Sequence, residues 1–210
     1  MCHAIARPAL LGCLISVTIA SAAVGQSRRA PENVAPLAAA TTGVTTPPIG
    51  WVDLCGRAPE ECRAPDLPAR DLVLTPAALK LLQTVNDAVN REIEPVTDIE
   101  QWGVPERWDF AETGRGDCED YVLLKRRRLM AAGVPRQALL VTVVRDEQGD
   151  GHAVLTVKTD RGDLVLDNQR AEILPWTATN YRFVKRQSQT QPNVWVGVEP
   201  GRPALVAATR

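Results

Sequence analysis

The chain has 210 residues, 45% of them hydrophobic and 23% charged, and its 24 basic and 25 acidic side chains leave a net charge of -1. That composition suits one globular domain with tails, and it lacks the basic excess that a nucleic-acid backbone or an anionic membrane surface selects. Beyond the N-terminus there is no uncharged apolar run of about 18 residues, so no transmembrane segment is expected.

In chain order, residues 1–25 read as a secretory signal peptide. Arg7 supplies the positive region, Ala9 to Ala20 an apolar core too short to span a bilayer, and Ala20-Ser21-Ala22 or Ala23-Val24-Gly25 a small-residue cleavage site. A rival lipoprotein box at Leu10-Leu11-Gly12-Cys13 leaves too little hydrophobic chain ahead of Cys13. Export follows, with the periplasm as the expected compartment. Removal of the signal leaves Cys55, Cys62, Cys118 and His152 as the reactive residues of the mature chain. Residues 26–50, rich in Ala, Thr and Pro and without a period, read as a flexible lead-in to a domain over 51–200, with 201–210 as a C-terminal tail.

Cys55 and Cys62 flank a Pro-containing turn, and in an oxidising compartment they are expected to form a local disulfide. Cys118 is then a free thiol, which in that compartment is either buried or used. A zinc site built from the three cysteines and His152 matches no common ligand spacing.

Thr75-Pro76 predicts a helix start, and Leu79, Leu82, Val85, Val89 and Ile93 recur at helical spacing until Pro95. Residues 96–116, with Trp102 and Trp108, read as a long structured loop. A second helix is predicted from the Asp117 to Asp120 segment to Gly133. Its core stripe is Cys118, Val122 and Leu129, and Lys125-Arg126-Arg127-Arg128 is its wet face. Strands follow at Leu139–Arg145, His152–Lys158, Asp163–Asp167, near Tyr181–Lys185 and at Val194–Val198. Helices followed by hairpin-connected strands predict an α+β fold with a mainly antiparallel sheet. Lys158 and Arg161 read as ordinary turn and edge charges, and the Arg115-Gly116-Asp117 tripeptide as a chance match.

The second hairpin carries the chemistry. If Thr159 to Gly162 make a turn of even count, Lys158 lies opposite Asp163, and His152 and Asp167 become diagonal neighbours on one face, roughly 7 Å apart along the backbone. Cys118 opens a helix, where unpaired N–H groups and the dipole favour a thiolate. If that helix packs on the face bearing His152, a nucleophile, a base and an orienting carboxylate converge, the minimum for acyl transfer through a thioester. Taken singly, each has a structural alternative: a buried thiol, a strand histidine bonded to backbone, and an aspartate starting a turn.

Gly116-Asp117-Cys118-Glu119-Asp120-Tyr121 with Lys125 and Leu129, then Gly151-His152-Ala153-Val154-Leu155 and Leu166-Asp167-Asn168, resemble the bacterial transglutaminase-like cysteine proteinases of the periplasmic, adhesin-cleaving LapG type. The resemblance covers about Trp51 to Trp195, including the Cys55 to Cys62 segment and Asn193-Val194-Trp195. It implies a papain-like or transglutaminase-like core with Cys118, His152 and Asp167 as the triad. It further implies a protein substrate, a cell-surface adhesin being one candidate, and calcium dependence through Asp117 and Glu119, which flank the nucleophile. The papain position for an oxyanion donor holds Glu112, a poor donor. The hole is therefore expected to use the Cys118 N–H and a group from the Trp102 to Trp108 loop.

Two readings of the acidic cluster stay open. A cation would relieve the repulsion of Asp117 and Glu119 on the thiolate, whereas Asp117 as N-cap and Asp120 at the third helical position make a metal-free cap. The leading function is an exported cysteine endopeptidase. The alternatives are a transglutaminase-type acyltransferase with the same triad and a non-catalytic calcium- or partner-binding module.

Overall fold

The computed structural model of the protein describes residues 37–63 and 65–199. The signal segment 1–25 and the tail 201–210 lie outside the described residues. The elements are β1 (Thr41–Thr45), α1 (Ile49–Arg57), α2 (Pro76–Glu92), β2 (Glu94–Pro95), α3 (Asp98–Trp102), β3 (Arg115–Gly116), α4 (Cys118–Ala131), β4 (Leu139–Arg145), β5 (Gly151–Thr159), β6 (Gly162–Leu166), β7 (Leu174–Pro175), β8 (Arg182–Gln187) and β9 (Trp195–Val198).

Local chemistry sets the helix ends. The Thr75 hydroxyl accepts the Ala78 N–H and Pro76 occupies the first turn, where a missing N–H leaves nothing unpaired. α2 buries Leu82, Val85 and Val89 and stops at Glu92, three residues before Pro95. α4 closes through the Val134 N–H on the Leu129 carbonyl, with Gly133 at φ 90°.

Seven strands form one sheet in the order β1-β9-β8-β4-β5-β6-β7, with every neighbouring pair antiparallel. The architecture is α+β. Alternation divides the sheet into two faces. Val141, Ala153, Leu155, Val157 and Leu166 join the helices α1, α2 and α4 in the larger core. Val144, Val154 and Val165 face the other way, into a smaller core with Ala39, Trp176, Tyr181, Phe183 and Val198.

The structure departs from the sequence reading in four places. Residues 41–45, assigned to a flexible lead-in, form the edge strand β1 on β9, and α1 starts at Ile49, ahead of Trp51. Long-range bonds fix this segment: the Ala39 N–H donates to Asp163, and the Asp163 N–H to the Leu37 carbonyl. Lys158, read as an edge charge, is buried against Asp163 at 2.5 Å, and Arg186 closes on the same carboxylate at 2.9 Å. Within 96–116, the loop reading misses α3 and the parallel pairing of β3 with β2.

The fourth departure concerns the basic run. Only Arg127 and Arg128 are wet, paired with Glu112 and Glu92 respectively. Arg126 is buried on Glu61 at 3.2 Å, and Lys125 is buried with no hydrogen-bond partner for its ammonium. Burial pulls the Lys125 pKa down to about 7, and Asp167 and Asp87 are the charges that oppose the shift. Between pH 7 and about 10 the unfolded chain holds this proton and the native one does not, so stability rises with pH across that window. Lys125→Met should therefore stabilise the protein by roughly 1–3 kcal/mol at pH 6, with the gain shrinking towards pH 10, as urea unfolding at both pH values would measure.

Candidate active site

A two-residue turn, Asp160-Arg161, joins β5 to β6, so that Thr159 pairs with Gly162, Lys158 with Asp163 and Leu155 with Leu166. The count is even. At the open end of this ladder the His152 Nε2 lies 2.9 Å from Asp167 Oδ1, both side chains being about 2% exposed. The same carboxylate accepts the Gln169 N–H at 3.0 Å on Oδ1 and the Tyr181 hydroxyl at 2.6 Å on Oδ2. Asn90 of α2 donates to the Asp167 carbonyl at 2.8 Å. Burial acts to raise the Asp167 pKa, but the hydrogen bonds from His152, Tyr181 and Gln169 outweigh it and hold the carboxyl below its ordinary value. Asp167 is thus an anion under a histidine.

Cys118 is the first residue of α4, and it is half-buried and unbridged, whereas Cys55 and Cys62 form a disulfide with Cα atoms 5.7 Å apart. The helix does not pack on the histidine's face. His152 pairs with Val144 and points with it into the smaller core, while α4 covers the opposite face through Ala153 and Leu155. The thiol therefore meets the hairpin at its end, beside the Ala153 N–H and one residue from His152. Its own proton goes to Glu119 Oε2 at 3.0 Å and not to His152. Burial, the Glu119 charge and that hydrogen bond together raise the Cys118 pKa well above its ordinary value.

The acidic surroundings contain a residue that the sequence reading missed. Oxygens of Asp98, Asp117 and Glu119 lie within 4.8 Å of one another. Asp98 begins α3, whose Thr97–Glu100 capping box was the available signal for a helix there. Asp98 is buried and accepts the Arg107 N–H, and Asp117 Oδ1 is buried with no partner. Burial, and after it mutual repulsion, raises the pKa of Asp117 and Glu119. Three converging carboxylates that resist ionisation fit a hard divalent cation with oxygen preference, such as calcium, as part of a larger ligand set.

The metal-free capping alternative fails on its details. Asp117 stands at the N-cap, yet its side chain makes no capping bond. Asp120 instead reaches out of the helix to accept the Asp109 N–H at 2.7 Å, pinning the loop that follows α3. Gly116 permits this, since a Cβ there would lie 2.5 Å from Asp120 Oδ2. That loop is also held by Trp108, packed edge-on against Trp51 and Trp195 at 6.2 and 6.3 Å. Of the donors sought there for an oxyanion, the Arg107 N–H is committed to Asp98 and the Trp108 indole to Glu106, while the Trp102 indole N–H is buried and unpartnered. Glu112 is exposed and paired with Arg127.

A buried histidine–aspartate pair and a free thiol thus meet at one end of the sheet, and comparison with known proteins gives the class. Residues 41–203 match the bacterial transglutaminase-like cysteine proteinases (BTLCP), and the chain belongs to that family, which makes it a cysteine protease acting on protein. Among solved structures it is similar to calcium-bound LapG of Legionella pneumophila, with 26% identity over 63% of this chain and 76% of that one and a TM-score of 0.51. It is also similar to the EGTA-treated form, with 27% identity over 56% and 66% and a TM-score of 0.48. A comparison with curated proteins returns no match. Among the described residues no helix is long and apolar enough to cross a membrane.

Asp120 provides a test of the loop anchor. Burial pushes its pKa up from 3.8 to about 8. Below the lower value the proton is bound in both states, and between the two only the native state keeps it, so this group's contribution is lost as pH rises to about 8. Asp120→Asn, which keeps the acceptor for Asp109, should gain stability over the parent between pH 5 and 8 in calcium-free buffer. Asp120→Ala should cost about 1–3 kcal/mol at pH 5, and denaturant melts would separate the two.

Proposed function

We propose that the protein is an exported, periplasmic cysteine endopeptidase in which Cys118 is the nucleophile, His152 the general base and acid, and Asp167 the residue that orients the imidazole. The observation that carries this reading is the buried His152–Asp167 pair at 2.9 Å beside a helix-terminal free thiol, in a chain of a cysteine proteinase family. The Asp167 anion holds the Nε2 proton of His152, which leaves Nδ1 to exchange a proton with the thiol. For attack, the Cys118 side chain turns from Glu119 towards the imidazole. The thiolate adds to the substrate carbonyl, His152 protonates the departing amine, and water then releases the acyl group from sulfur. The Cys118 backbone N–H at the start of α4 stabilises the oxyanion.

In the same proposal Asp98, Asp117 and Glu119 hold calcium. Bound calcium would supply the positive charge that offsets the repulsion around the thiol, and the three side chains would order the segment leading into Cys118. Because these carboxyls resist ionisation in the free protein, binding must displace protons. Calcium affinity should therefore rise with pH, and calorimetry in two buffers of different ionisation heat should register proton release at neutral pH. Asp98→Asn should lower the affinity at least about tenfold.

Cys118→Ala and His152→Ala should each abolish cleavage of the protein substrate. Asp167→Asn should leave the fold intact and lower turnover by about 100-fold or more, because the His152 tautomer is no longer set. Assay of the purified variants against a panel of secreted and surface proteins checks this. Parental activity in Cys118→Ala would remove Cys118 as the nucleophile, and no cleavage by the parental protein of anything in the panel would leave a binding module. Incorporation of an added amine into the acyl product would instead indicate a transferase.

A further inference from the structure

Asp167 has a second buried neighbour besides His152. Tyr181 leads into β8 from the far side of the sheet, and its hydroxyl donates 2.6 Å to Asp167 Oδ2, the oxygen that His152 does not use. Its ring also packs edge-on against the imidazole, with centroids 5.7 Å apart. One side chain therefore contacts both members of the pair. Tyr181 is itself held from outside: the Arg170 guanidinium lies 5.6 Å from the ring centroid and its Nε donates to the hydroxyl at 3.4 Å. Glu147 pairs with Arg170 at 2.6 Å and accepts from Asn180 at 3.4 Å. A cleft of about 230 Å³ lined by Asp146, Gln148, Gln169 and these residues opens on this side, so the phenol stands between solvent and Asp167.

The constraint on the carboxylate is specific. Oδ1 receives both His152 and the Gln169 N–H, and without a donor on Oδ2 the group could rotate about its Cβ–Cγ bond and offer either oxygen. A phenol O–H fixed by its own ring contacts removes that freedom, and a buried carboxylate left short of a donor loses much more than an exposed one would. Burial pushes the Tyr181 pKa up to about 12, so the hydroxyl keeps its proton over the working range. The Lys125 ammonium of α4 also feels the Asp167 charge, as it does that of Asp87 of α2, but it makes no hydrogen bond to the carboxylate.

We infer that Tyr181 is a positioning residue that locks the Asp167 carboxylate onto His152 and shields the pair from water, with Arg170 and Glu147 as its outer clamp. The inference deepens the site proposed above, but it concerns the histidine–aspartate pair and can be tested without turnover.

The measurement is solvent exchange of the His152 Nε2 proton and the imidazole nitrogen-15 shifts across pH, in Tyr181→Phe made both in the parent and in Cys118→Ala. The phenylalanine keeps the ring contact and removes only the hydroxyl. Exchange should quicken by roughly tenfold, and iodoacetamide labelling of Cys118 at fixed neutral pH should slow several-fold, in a variant that stays folded with a lowered melting temperature. Arg170→Gln, at a more exposed position, should move the exchange in the same direction by a smaller factor. Parental exchange and imidazole shifts in folded Tyr181→Phe would overturn the inference, and so would parental exchange in Arg170→Gln if the phenylalanine variant did not fold. The Cys118→Ala background keeps the result separate from the protease reading, which falls on retained cleavage and not on exchange.

Discussion

The two-residue turn at Asp160-Arg161 is the constraint on which the site depends. With that count, Lys158 pairs with Asp163 and every even residue of β5 shares a face with an odd residue of β6, which brings His152 to Asp167. A slip of one residue would send the histidine and the aspartate to opposite faces. The turn is held by more than its own chain. Gly162 sits at φ 114°, and a Cβ there would come within 2.5 Å of the Leu37 carbonyl. The same carbonyl accepts the Asp163 N–H, and Asp163 in turn gathers Lys158, Arg186 and the Ala39 N–H. The segment before β1 is thereby a strap across the hairpin, and its removal would expose three buried charges.

The two faces of the sheet divide the chemistry. One is apolar and receives the helices, so that α4 can place Cys118 at the end of β5 on a rigid element. The other carries the polar pairs: His152 with Asp167 and Tyr181, the Thr142 and Thr156 hydroxyls at 2.7 Å, and the Lys158–Asp163–Arg186 group. Buried polar groups are tolerated there because nearly every one is met by another. Around the thiol the balance is different. Asp98, Asp117 and Glu119 face one another, and the Cys118 proton rests on Glu119. Such an arrangement keeps the thiol un-ionised, and under the proposed function a cation held in the cluster would offset the repulsion on it.

The three-tryptophan contact explains how a segment with little regular structure can be part of this site. Trp51 of α1, Trp108 of the loop and Trp195 of β9 meet edge to face, and Arg57 bonds the Trp108 carbonyl at 2.6 Å. The disulfide closes the end of α1, so its effect reaches the loop and, through the Arg107 N–H, Asp98. The acidic cluster, drawn from the starts of α3 and α4, is thus braced by α1 and β9 as well.

The sequence by itself determined what depends on neighbours in the chain: the start of α2 at Thr75-Pro76, the period of its apolar stripe, the strands of the central hairpins and the short disulfide, while it left the parity of the turn between His152 and Asp167 to the structure. Each follows from local backbone preference or from alternation. Tertiary structure alone decided what depends on residues far apart. Nothing local reveals that Ala39 would bond Asp163, 124 residues away, and turn an Ala/Thr-rich stretch into an edge strand. A run of four basic residues looks wet at every position, and only the packing of α4 on both α2 and the sheet takes Lys125 and Arg126 out of water. Asp98, Tyr181 and the face on which Cys118 approaches were illegible for the same reason. A carboxylate, a phenol or a thiol acquires its role from the charges and donors around it in space, and one-dimensional spacing carries no information about those.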